Sequence, residues 1–295
     1  MRTRTPIDRW DLSIRKQDRV LEVGSGHNPF YRSNVIVDKY VNDNTQRCGD
    51  IKIFPHQQFV LADGEHLPFK DKEFDYVICN QVLEHVENPE LFIREICRVG
   101  KRGYMETPSL IGEFLFPKEV HRWVILDIDN KLILFAKDLV PGNYKNNYGE
   151  LFLNYLPYQS LPYKLLGLTE GELMINRYEW EDSIDFIINP QDKYYLSFFT
   201  QKWDRTMVEK LFPPRNVFNE IKKVCESVQI QEDFIRDALD FEEKARIDHE
   251  EDDDTTLFVV DVPITENGEE GEVIYSTLPL GMIVVRDDFF ITVSS

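Results

Sequence analysis

Residues 20–30, VLEVGSGHNPF, place an acid and two glycines directly after an apolar run. The short, mainly apolar run at 20–23 predicts a buried strand. A Gly-x-Gly turn after such a strand lets the backbone approach a nucleotide-like ligand closely. The third glycine of the dinucleotide fingerprint is absent, and Pro29 stands where a helix that receives a pyrophosphate would begin. The loop therefore predicts a nucleotide-like ligand and disfavours a nicotinamide dehydrogenase.

Polar residues and glycines also follow the next three predicted strands, at 35–40, 59–63 and 74–81. These residues are Asp38, then Asp63 with Gly64, then Asn80 with Gln81. Ligands of open parallel sheets bind beyond the carboxyl ends of the strands, so we expect one elongated ligand to meet all these groups. A carboxylate at Asp38 can accept both hydroxyls of a ribose, and Asp63 can accept from the exocyclic amine of adenine.

The elements that must position these residues alternate between strands and helices. A fifth strand is predicted at 103–108, and the preceding segment 88–100 has helical spacing, with Asn88 as N-cap and a stop at Gly100. The segment 121–137 predicts two strands around an Asp-Asn turn. The fold class expected is α/β: a Rossmann-like, mostly parallel sheet with an antiparallel edge hairpin, followed by a smaller α/β or α+β module.

Three segments together, VLEVGSG, VDKY and LADGEHLPFKDKEFDYVICNQVLEHVENPE, carry a family resemblance over about residues 18–137. This part of the chain resembles class I S-adenosylmethionine-dependent methyltransferases of the small-molecule type 11 kind. The resemblance implies S-adenosylmethionine as cofactor and a small-molecule methyl acceptor. It implies that the cofactor's methionine part and backbone lie against Glu22, Gly24, Ser25 and Gly26. By position, the resemblance also implies that Asp38 binds the ribose hydroxyls and that Asp63 and Gly64 contact the adenine. It places Asn80 near the sulfonium.

Catalytic groups are less clearly marked. His85 in VLEHV and His121 in EVHRW follow the fourth and fifth strands, where an acceptor would enter, and either could serve as a proton acceptor. The alternative for His85 and its neighbour Glu84 is that they pin the loop by hydrogen bonds. Methyl transfer mainly requires alignment, so a base is needed only if the acceptor must lose a proton. No clustered metal-ligand spacing occurs near the predicted pocket, so we expect activity without a metal.

Composition limits the kinds of binding partner and indicates the cellular compartment. The net charge of −19 argues against nucleic acid as a general partner. No run approaches the ~18 apolar residues of a membrane-spanning helix. The four cysteines form no C-x-x-C pair, which is typical of reduced thiols, and we expect a cytoplasmic protein. The sequence does not indicate the oligomeric state.

The chain changes character twice after residue 137. Residues 138–200 hold eight of the thirteen tyrosines and predict short helices and one or two strands, either as a lid over the substrate or as an extension packed on the sheet edge. Residues 201–295 carry 10 Lys and Arg against 23 Asp and Glu. We therefore predict a methyltransferase domain at 1–204 and a separate module at 205–295.

The second part, about 213–295, resembles the soluble N-terminal domain of CorA-type magnesium transporters. The matching segments are DFIRDALDFEEKARIDHEEDDDTTLFVVDVPI and YSTLPLGMIVVRDDFFITVSS. The family's membrane helices and Gly-Met-Asn signature are missing, so the part is a soluble module, a fusion or a truncation. The acidic run 250–254 is a solvated turn or, less in keeping with its consecutive acids, a cation site. The alternative function is therefore a non-catalytic regulatory or divalent-cation-sensing protein with a degenerate cofactor fold.

Overall fold

The computed structural model describes residues 1–230 except 42, 46–48, 143 and 215, and also residues 233, 236 and 259–261. Most of the described chain is organised around one large sheet and a smaller one. The strands are β1 (Arg2–Arg4), β2 (Val20–Val23), β3 (Val35–Asp38), β4 (Gln58–Leu61), β5 (Phe74–Asn80), β6 (Gly100–Pro108), β7 (Trp123–Ile128), β8 (Lys131–Ala136), β9 (Ile175–Glu181), β10 (Phe186–Ile188) and β11 (Val259–Asp261).

The large sheet has the strand order β1-β9-β6-β5-β2-β3-β4-β11. Neighbours from β6 to β11 are parallel, whereas β9 is antiparallel to β6 and β1 is antiparallel to β9. The five predicted parallel strands are confirmed, and so is the mostly parallel α/β fold. The chain leaves β2 at the centre of the sheet, with β3 on one side and β5 on the other, so the carboxyl end of β2 is the topological switch point.

The predicted hairpin forms, but at a different place. Asp129 and Asn130 both have positive φ, 57° and 60°, as a two-residue type I′ turn requires. β7 and β8 then join β10 in a separate three-stranded sheet, and the antiparallel edge of the large sheet is made by β9 and β1 instead. The physical reason is that both faces of the hairpin are apolar. One face packs into the main core, and the other into a second cluster with Phe198 and Phe199.

The helices are α1 (Pro89–Val99), α2 (Leu110–Leu115), α3 (Leu156–Gln159), α4 (Leu161–Thr169), α5 (Lys193–Thr200) and α6 (Arg205–Leu211), and residues 217–230 are also helical. The prediction for α1 is confirmed. The Asn88 side chain accepts a hydrogen bond from the Leu91 backbone N–H at 3.0 Å, Pro89 opens the helix, and the helix ends at Gly100. Its buried face, which includes Phe92 and Ile96, covers one side of the sheet.

The opposite side of the sheet is covered without a helix after β2. Val20, Tyr76 and Ile78 from the sheet pack with Phe30, and Trp10, Leu12 and Ile14 of the N-terminal segment lie against them. Turns and bends connect β2 to β3 across residues 24–34. The N-terminal segment therefore takes the place that a crossover helix usually fills.

Residues 138–200 contain short helical turns followed by β9 and β10, as predicted. Because β9 lies inside the large sheet, this segment is an integral part of the fold that is built around that sheet. Residues 217–230 form a further helix, and its apolar residues Phe218 and Ile221 are 84% and 56% exposed. Most of the part resembling the transporter domain, including the acidic run 250–254, lies outside the described residues. Of the helices that are described, none has the length and apolarity to cross a membrane.

Candidate active site

A cleft opens at the carboxyl ends of β2, β3, β4 and β5, where the sequence places its ligand. It holds about 850 Å³ of space between the protein atoms, a figure that includes its open mouth. Of the predicted residues, five lie in its wall: Gly24, Gly26, Asp38, Asp63 and Gly64. Among the described residues the lining runs from Val23 to Arg122, so none of it comes from 138–200. The structure thus favours the sheet-edge interpretation of that segment over the lid.

The glycine loop has the backbone conformation that its sequence predicts. Gly24 and Gly26 have positive φ values of 72° and 55°, which side chains other than glycine adopt only with strain. A Cβ on Gly24 would lie 2.4 Å from Cγ2 of Val82, and a Cβ on Gly64 would lie 2.4 Å from Cε2 of Phe92. Neighbouring side chains already fill the space beside Gly24 and Gly64, so a larger residue at either position would clash with them.

Glu22 is predicted to lie against the cofactor, and the structure places it beneath the loop instead. Its carboxylate accepts hydrogen bonds from the Phe30 backbone N–H at 2.7 Å and from the Ser33 hydroxyl at 2.9 Å. The side chain is 1% exposed and is not part of the cleft wall. Burial raises the pKa of Glu22, and Arg9 and the two hydrogen bonds act in the opposite direction. Glu22 therefore fixes the return of the chain from Gly26 to β3.

Ser25 and Asn80 flank the cleft without lining it. The Ser25 hydroxyl and the Asn80 side-chain oxygen are both buried and have no hydrogen-bond partner within the described part of the chain. Buried polar atoms are nearly always paired in native proteins, so these two are candidates for bonds to a bound molecule or to water. Both lie next to residues of the wall, Ser25 between the two glycines and Asn80 before Gln81.

The two predicted carboxylates stand at the ends of adjacent strands. Oδ1 of Asp38 accepts from the Tyr40 backbone N–H at 3.0 Å, and Oδ1 of Asp63 accepts from the Glu65 backbone N–H at 2.9 Å. The ammonium of Lys39 lies 2.6 Å from Oδ2 of Asp63. Burial alone would lower the pKa of Lys39, but the bond to Asp63 outweighs it and raises the pKa. A ligand amine at Asp63 would share that oxygen with Lys39, which a carboxylate with two lone pairs on each oxygen allows.

The charge of the cleft decides which nucleotide-like ligand it suits. Its wall carries five carboxylates against two basic side chains. The carboxylates are Asp38, Asp43, Asp63, Glu65 and Glu87; the basic groups are Lys39 and Arg122. No helix N-terminus follows the glycine loop, since residues 24–34 form turns. The acidic wall of the cleft therefore fits S-adenosylmethionine, whose sulfonium is cationic, and does not fit an anionic pyrophosphate.

A second group of polar side chains lies beside the cleft, in the turn after β5. Glu84 and His121 are buried, and the His85 side chain is 9% exposed and forms part of the cleft wall. The rings of His85 and His121 meet edge to face with centroids 4.7 Å apart. Nδ1 of His121 lies 2.5 Å from Oε2 of Glu113. The two weak catalytic candidates are thus neighbours, although 36 positions separate them in the sequence.

Burial shifts the ionisation of this group. It raises the pKa of Glu84 to about 8, opposed by its own backbone and by Lys118. Burial, together with the charges of His121 and Lys118, lowers the pKa of His85 to about 4. At neutral pH the His85 ring is therefore uncharged, which gives it one nitrogen with a free electron pair.

Sequence reasoning missed a polar cluster at the carboxyl end of β6. Arg177 on β9 lies with Nε 3.3 Å from Oε2 of Glu106, and the Tyr104 hydroxyl donates to the same carboxylate oxygen. The Gln81 amide, which lines the cleft, donates to Oε1 of Glu106 at 3.1 Å. Glu106 occupies an inward position of the strand GYMETP, and an acid in such a strand end was the available signal.

The comparisons with known proteins point to the same part of the chain. Residues 35–105 match the family described as "Methyltransferase domain". A 90-residue segment is 40% identical to the uncharacterized protein MJ1123 of Methanocaldococcus jannaschii, over 29% of this chain and 40% of that protein. A 96-residue segment is 29% identical to demethylmenaquinone methyltransferase of Streptomyces griseus, over 31% of this chain and 42% of that one. The chain thus spans less than half the length of these relatives.

Solved structures give the same kind of similarity at a lower level. A SAM-dependent methyltransferase of Thermotoga maritima, titled a possible histamine N-methyltransferase, shares 21% identity and a TM-score of 0.26, over 34% of this chain and 48% of that one. TM-scores of this size do not establish a shared fold, so the fold rests on the sheet described above. The resemblance of residues 213–295 to the transporter domain stays a prediction. The centre of the large sheet, by contrast, is similar to a methyltransferase domain, as the sequence indicates.

Proposed function

We propose that the protein is an S-adenosylmethionine-dependent methyltransferase that acts on a small-molecule acceptor. The observation that carries the proposal is the placement of Asp38 and Asp63 at adjacent strand ends in one acidic cleft. Both residues fall within the segment 35–105 that matches the methyltransferase domain. The rival nicotinamide dinucleotide is disfavoured by the carboxylates and by the turns at 24–34.

The chain's own residues bind and orient in this proposal. Asp38 accepts the ribose hydroxyls, Asp63 accepts the adenine amine, and Gly24 and Gly26 allow the loop backbone to approach the methionine part. When bound, the cofactor supplies an activated methyl group on a sulfonium that is a good leaving group. The protein then has to hold the acceptor in line with that methyl, which accounts for the absence of a strong catalytic signature in the sequence.

The acceptor would enter beside the turn after β5. His85 and Arg122 line that side of the cleft, and Gln81 connects it to Glu106. As long as no other ligand occupies its free nitrogen, the neutral ring of His85 can accept a proton from an acceptor whose nucleophilic group must lose one. No separate observation favours a non-catalytic cation-sensing protein as the main function.

Calorimetry on the full chain tests the proposal. S-adenosylmethionine and its demethylated product should both bind, and NAD⁺ should not. Asp38→Ala should weaken binding roughly 5- to 150-fold, since loss of a hydrogen-bonding charged group costs about 1–3 kcal/mol. Asp38→Asn keeps an acceptor for the Tyr40 backbone and should separate loss of the ligand bond from loss of local structure. Asp138→Ala, on an exposed turn, is the matched control.

Two results would contradict the proposal. If neither cofactor form binds the folded chain, the cleft does not serve this ligand. If Asp38→Ala and Asp138→Ala bind with equal affinity, the ribose assignment of Asp38 is wrong, even if the cofactor binds.

A further inference from the structure

Three side chains next to the cofactor cleft converge on one small volume. One carboxylate oxygen of Glu84 and one ring nitrogen each of His85 and His121 lie within 4.8 Å of one another. The Glu84 and His121 side chains are 1% and 3% exposed. A carboxylate and two imidazoles at this spacing are a set of ligands for a metal ion.

Some polar atoms of these three side chains are unpaired, although the His85 ring also has a hydrogen bond to the Val120 backbone. Both carboxylate oxygens of Glu84, Nδ1 of His85 and Nε2 of His121 are buried, and none of these four atoms has a hydrogen-bond partner among the residues that the structure describes. Glu84 and the two rings do not hydrogen-bond to each other: Oε1 of Glu84 lies 4.0 Å from Nε2 of His121, and its nearest His85 nitrogen is Nε2, at 3.8 Å. Four unpaired buried polar atoms on three neighbouring side chains are rare in native proteins and require an explanation.

The second nitrogen of His121 is held as it is in metal sites. Nδ1 lies 2.5 Å from Glu113, and the Lys137 ammonium lies 2.5 Å from the other oxygen of Glu113. With its N–H directed to a carboxylate, the ring keeps an electron pair on Nε2, the nitrogen that faces Glu84. Metal-ligating histidines almost always donate their other N–H to a carboxylate, a carbonyl or water in this way.

Backbone contacts prearrange the convergence. The Glu84 carbonyl accepts hydrogen bonds from the backbone N–H groups of Arg122 at 2.7 Å and Trp123 at 3.2 Å. The Trp123 indole donates to the Val86 carbonyl at 2.8 Å. The turn after β5 and the segment before β7 are thus fastened together on both sides of the cluster. The positions of the three ligands do not depend on flexible side chains alone.

We propose that Glu84, His85 and His121 bind one divalent transition-metal ion, with Glu113 as a positioning residue. Ligands about 2.0–2.2 Å from a tetrahedral ion lie roughly 3.3–3.6 Å apart, so the three ligand atoms, now within 4.8 Å of one another, would move closer together around the ion. A mixed carboxylate and imidazole set suits Zn²⁺, Fe²⁺ or Co²⁺ better than Mg²⁺ or Ca²⁺, which prefer oxygen. Because His85 lines the cleft, a coordination position left open by three protein ligands would face the acceptor side.

The proposal differs from the sequence-based expectation that no metal site is present. It does not rest on the proposed methyl transfer, because the ligand geometry stands whatever occupies the cofactor part of the cleft. It also differs from a cation site in the acidic run 250–254, which would offer oxygen ligands only.

Metal binding to the full chain tests it directly. Chelator-treated, dialysed protein is titrated with Zn²⁺ by calorimetry and with Co²⁺ by visible absorption, with Mg²⁺ as comparison. We expect about one equivalent of Zn²⁺ or Co²⁺ and a Co²⁺ spectrum of nitrogen and oxygen ligands. Glu84→Gln and His121→Ala should abolish this binding, and Glu113→Gln should weaken it roughly 10- to 100-fold. His66→Ala, an exposed histidine outside the cluster, should bind like the wild type.

Three results would contradict the proposed metal site. The proposal is overturned if the wild type shows no saturable binding near one equivalent, if Mg²⁺ is preferred, or if binding survives Glu84→Gln. Near-UV circular dichroism identifies any variant that does not fold. In that case the near-isosteric Glu84→Gln and the wild-type Co²⁺ spectrum still decide the question. S-adenosylmethionine affinity, measured on the same metal-free samples, separates failure of the metal site from failure of the cofactor site.

Discussion

The Glu22 carboxylate accepts a hydrogen bond from the Phe30 backbone N–H at 2.7 Å, across the loop that carries the two cleft glycines. The same oxygen accepts from Ser33 at 2.9 Å. One buried acid at the end of the central strand thus holds both the tip and the return of the loop. Glu22 acts on the cleft through the backbone, and its side chain lies on the face covered by the N-terminal segment.

Replacing Glu22 should destabilise the fold first and weaken cofactor binding as a consequence. Glu22→Ala leaves two buried donors without a partner, which costs about 1–3 kcal/mol of the free energy of unfolding. Glu22→Gln retains one acceptor oxygen and should cost less. Urea unfolding and calorimetry on both variants, with the exposed Glu119→Ala as control, measure the two effects. A loss of cofactor affinity without any loss of stability would show that Glu22 touches the cofactor directly.

The glycine loop provides a matched pair of substitutions. Gly24→Ala puts a Cβ 2.4 Å from Val82 at a φ of 72°, so it should lower the free energy of unfolding by roughly 1–3 kcal/mol and weaken S-adenosylmethionine binding. Gly167→Ala, within α4, meets no atom within 4 Å and should be neutral or stabilising by about 0.5–1 kcal/mol. Thermal melts and calorimetry compare the two. Equal stability of both variants would mean that the loop relaxes around the new Cβ.

Acid should weaken the contact between α1 and the turn before β5. Burial alone would raise the pKa of Glu95, but hydrogen bonds from Arg98 at 2.7 Å and from the Leu67 backbone at 2.9 Å hold it below its usual value of 4.5. A lowered folded-state pKa stabilises the fold above the unfolded-state value, and this stabilisation is lost as the pH falls through the folded-state value. Glu95→Gln should therefore cost about 1 kcal/mol at neutral pH and progressively less below about pH 4.5.

Urea unfolding of wild type and Glu95→Gln between about pH 7 and pH 3.5 measures this difference. Glu119→Gln, on the exposed surface, should show no such convergence with the wild type. A constant difference between wild type and Glu95→Gln across the whole range would remove Glu95 from the acid response.

The boundary between residues 1–204 and 205–295 remains a prediction that proteolysis tests. Cleavage is expected between about 200 and 215, where the consecutive prolines of LFPPR disfavour a continuous helix. The front fragment should then still bind S-adenosylmethionine. β11, at 259–261, pairs in parallel with β4 at the edge of the large sheet, and that pairing is the relevant counter-observation. If the front fragment unfolds once the rest is removed, β11 is an integral strand and the boundary is wrong.

The sequence alone determined the local elements and their order. Short strand-like runs specified five parallel strands, the Asn88 cap and Gly100 bounded α1, and Asp129-Asn130 specified the hairpin turn. These features depend on neighbours a few residues apart, so periodicity and capping reveal them. Five of the eight predicted cofactor residues line the cleft because strand ends of a parallel sheet meet at one edge whatever the details of packing.

Tertiary structure decided everything that depends on distant parts of the chain meeting. From its sequence alone, the hairpin could pair with the edge of the large sheet. Burial of its two apolar faces places it instead in a separate sheet with β10. Whether the Glu22 side chain faces the cofactor or the loop depends on where the chain that carries Phe30 and Ser33 runs back towards β3. The juxtaposition of Glu84 and His85 with His121 requires the segment before β7 to dock on the turn after β5. No local spacing encodes such a contact, since it follows from packing of the whole domain.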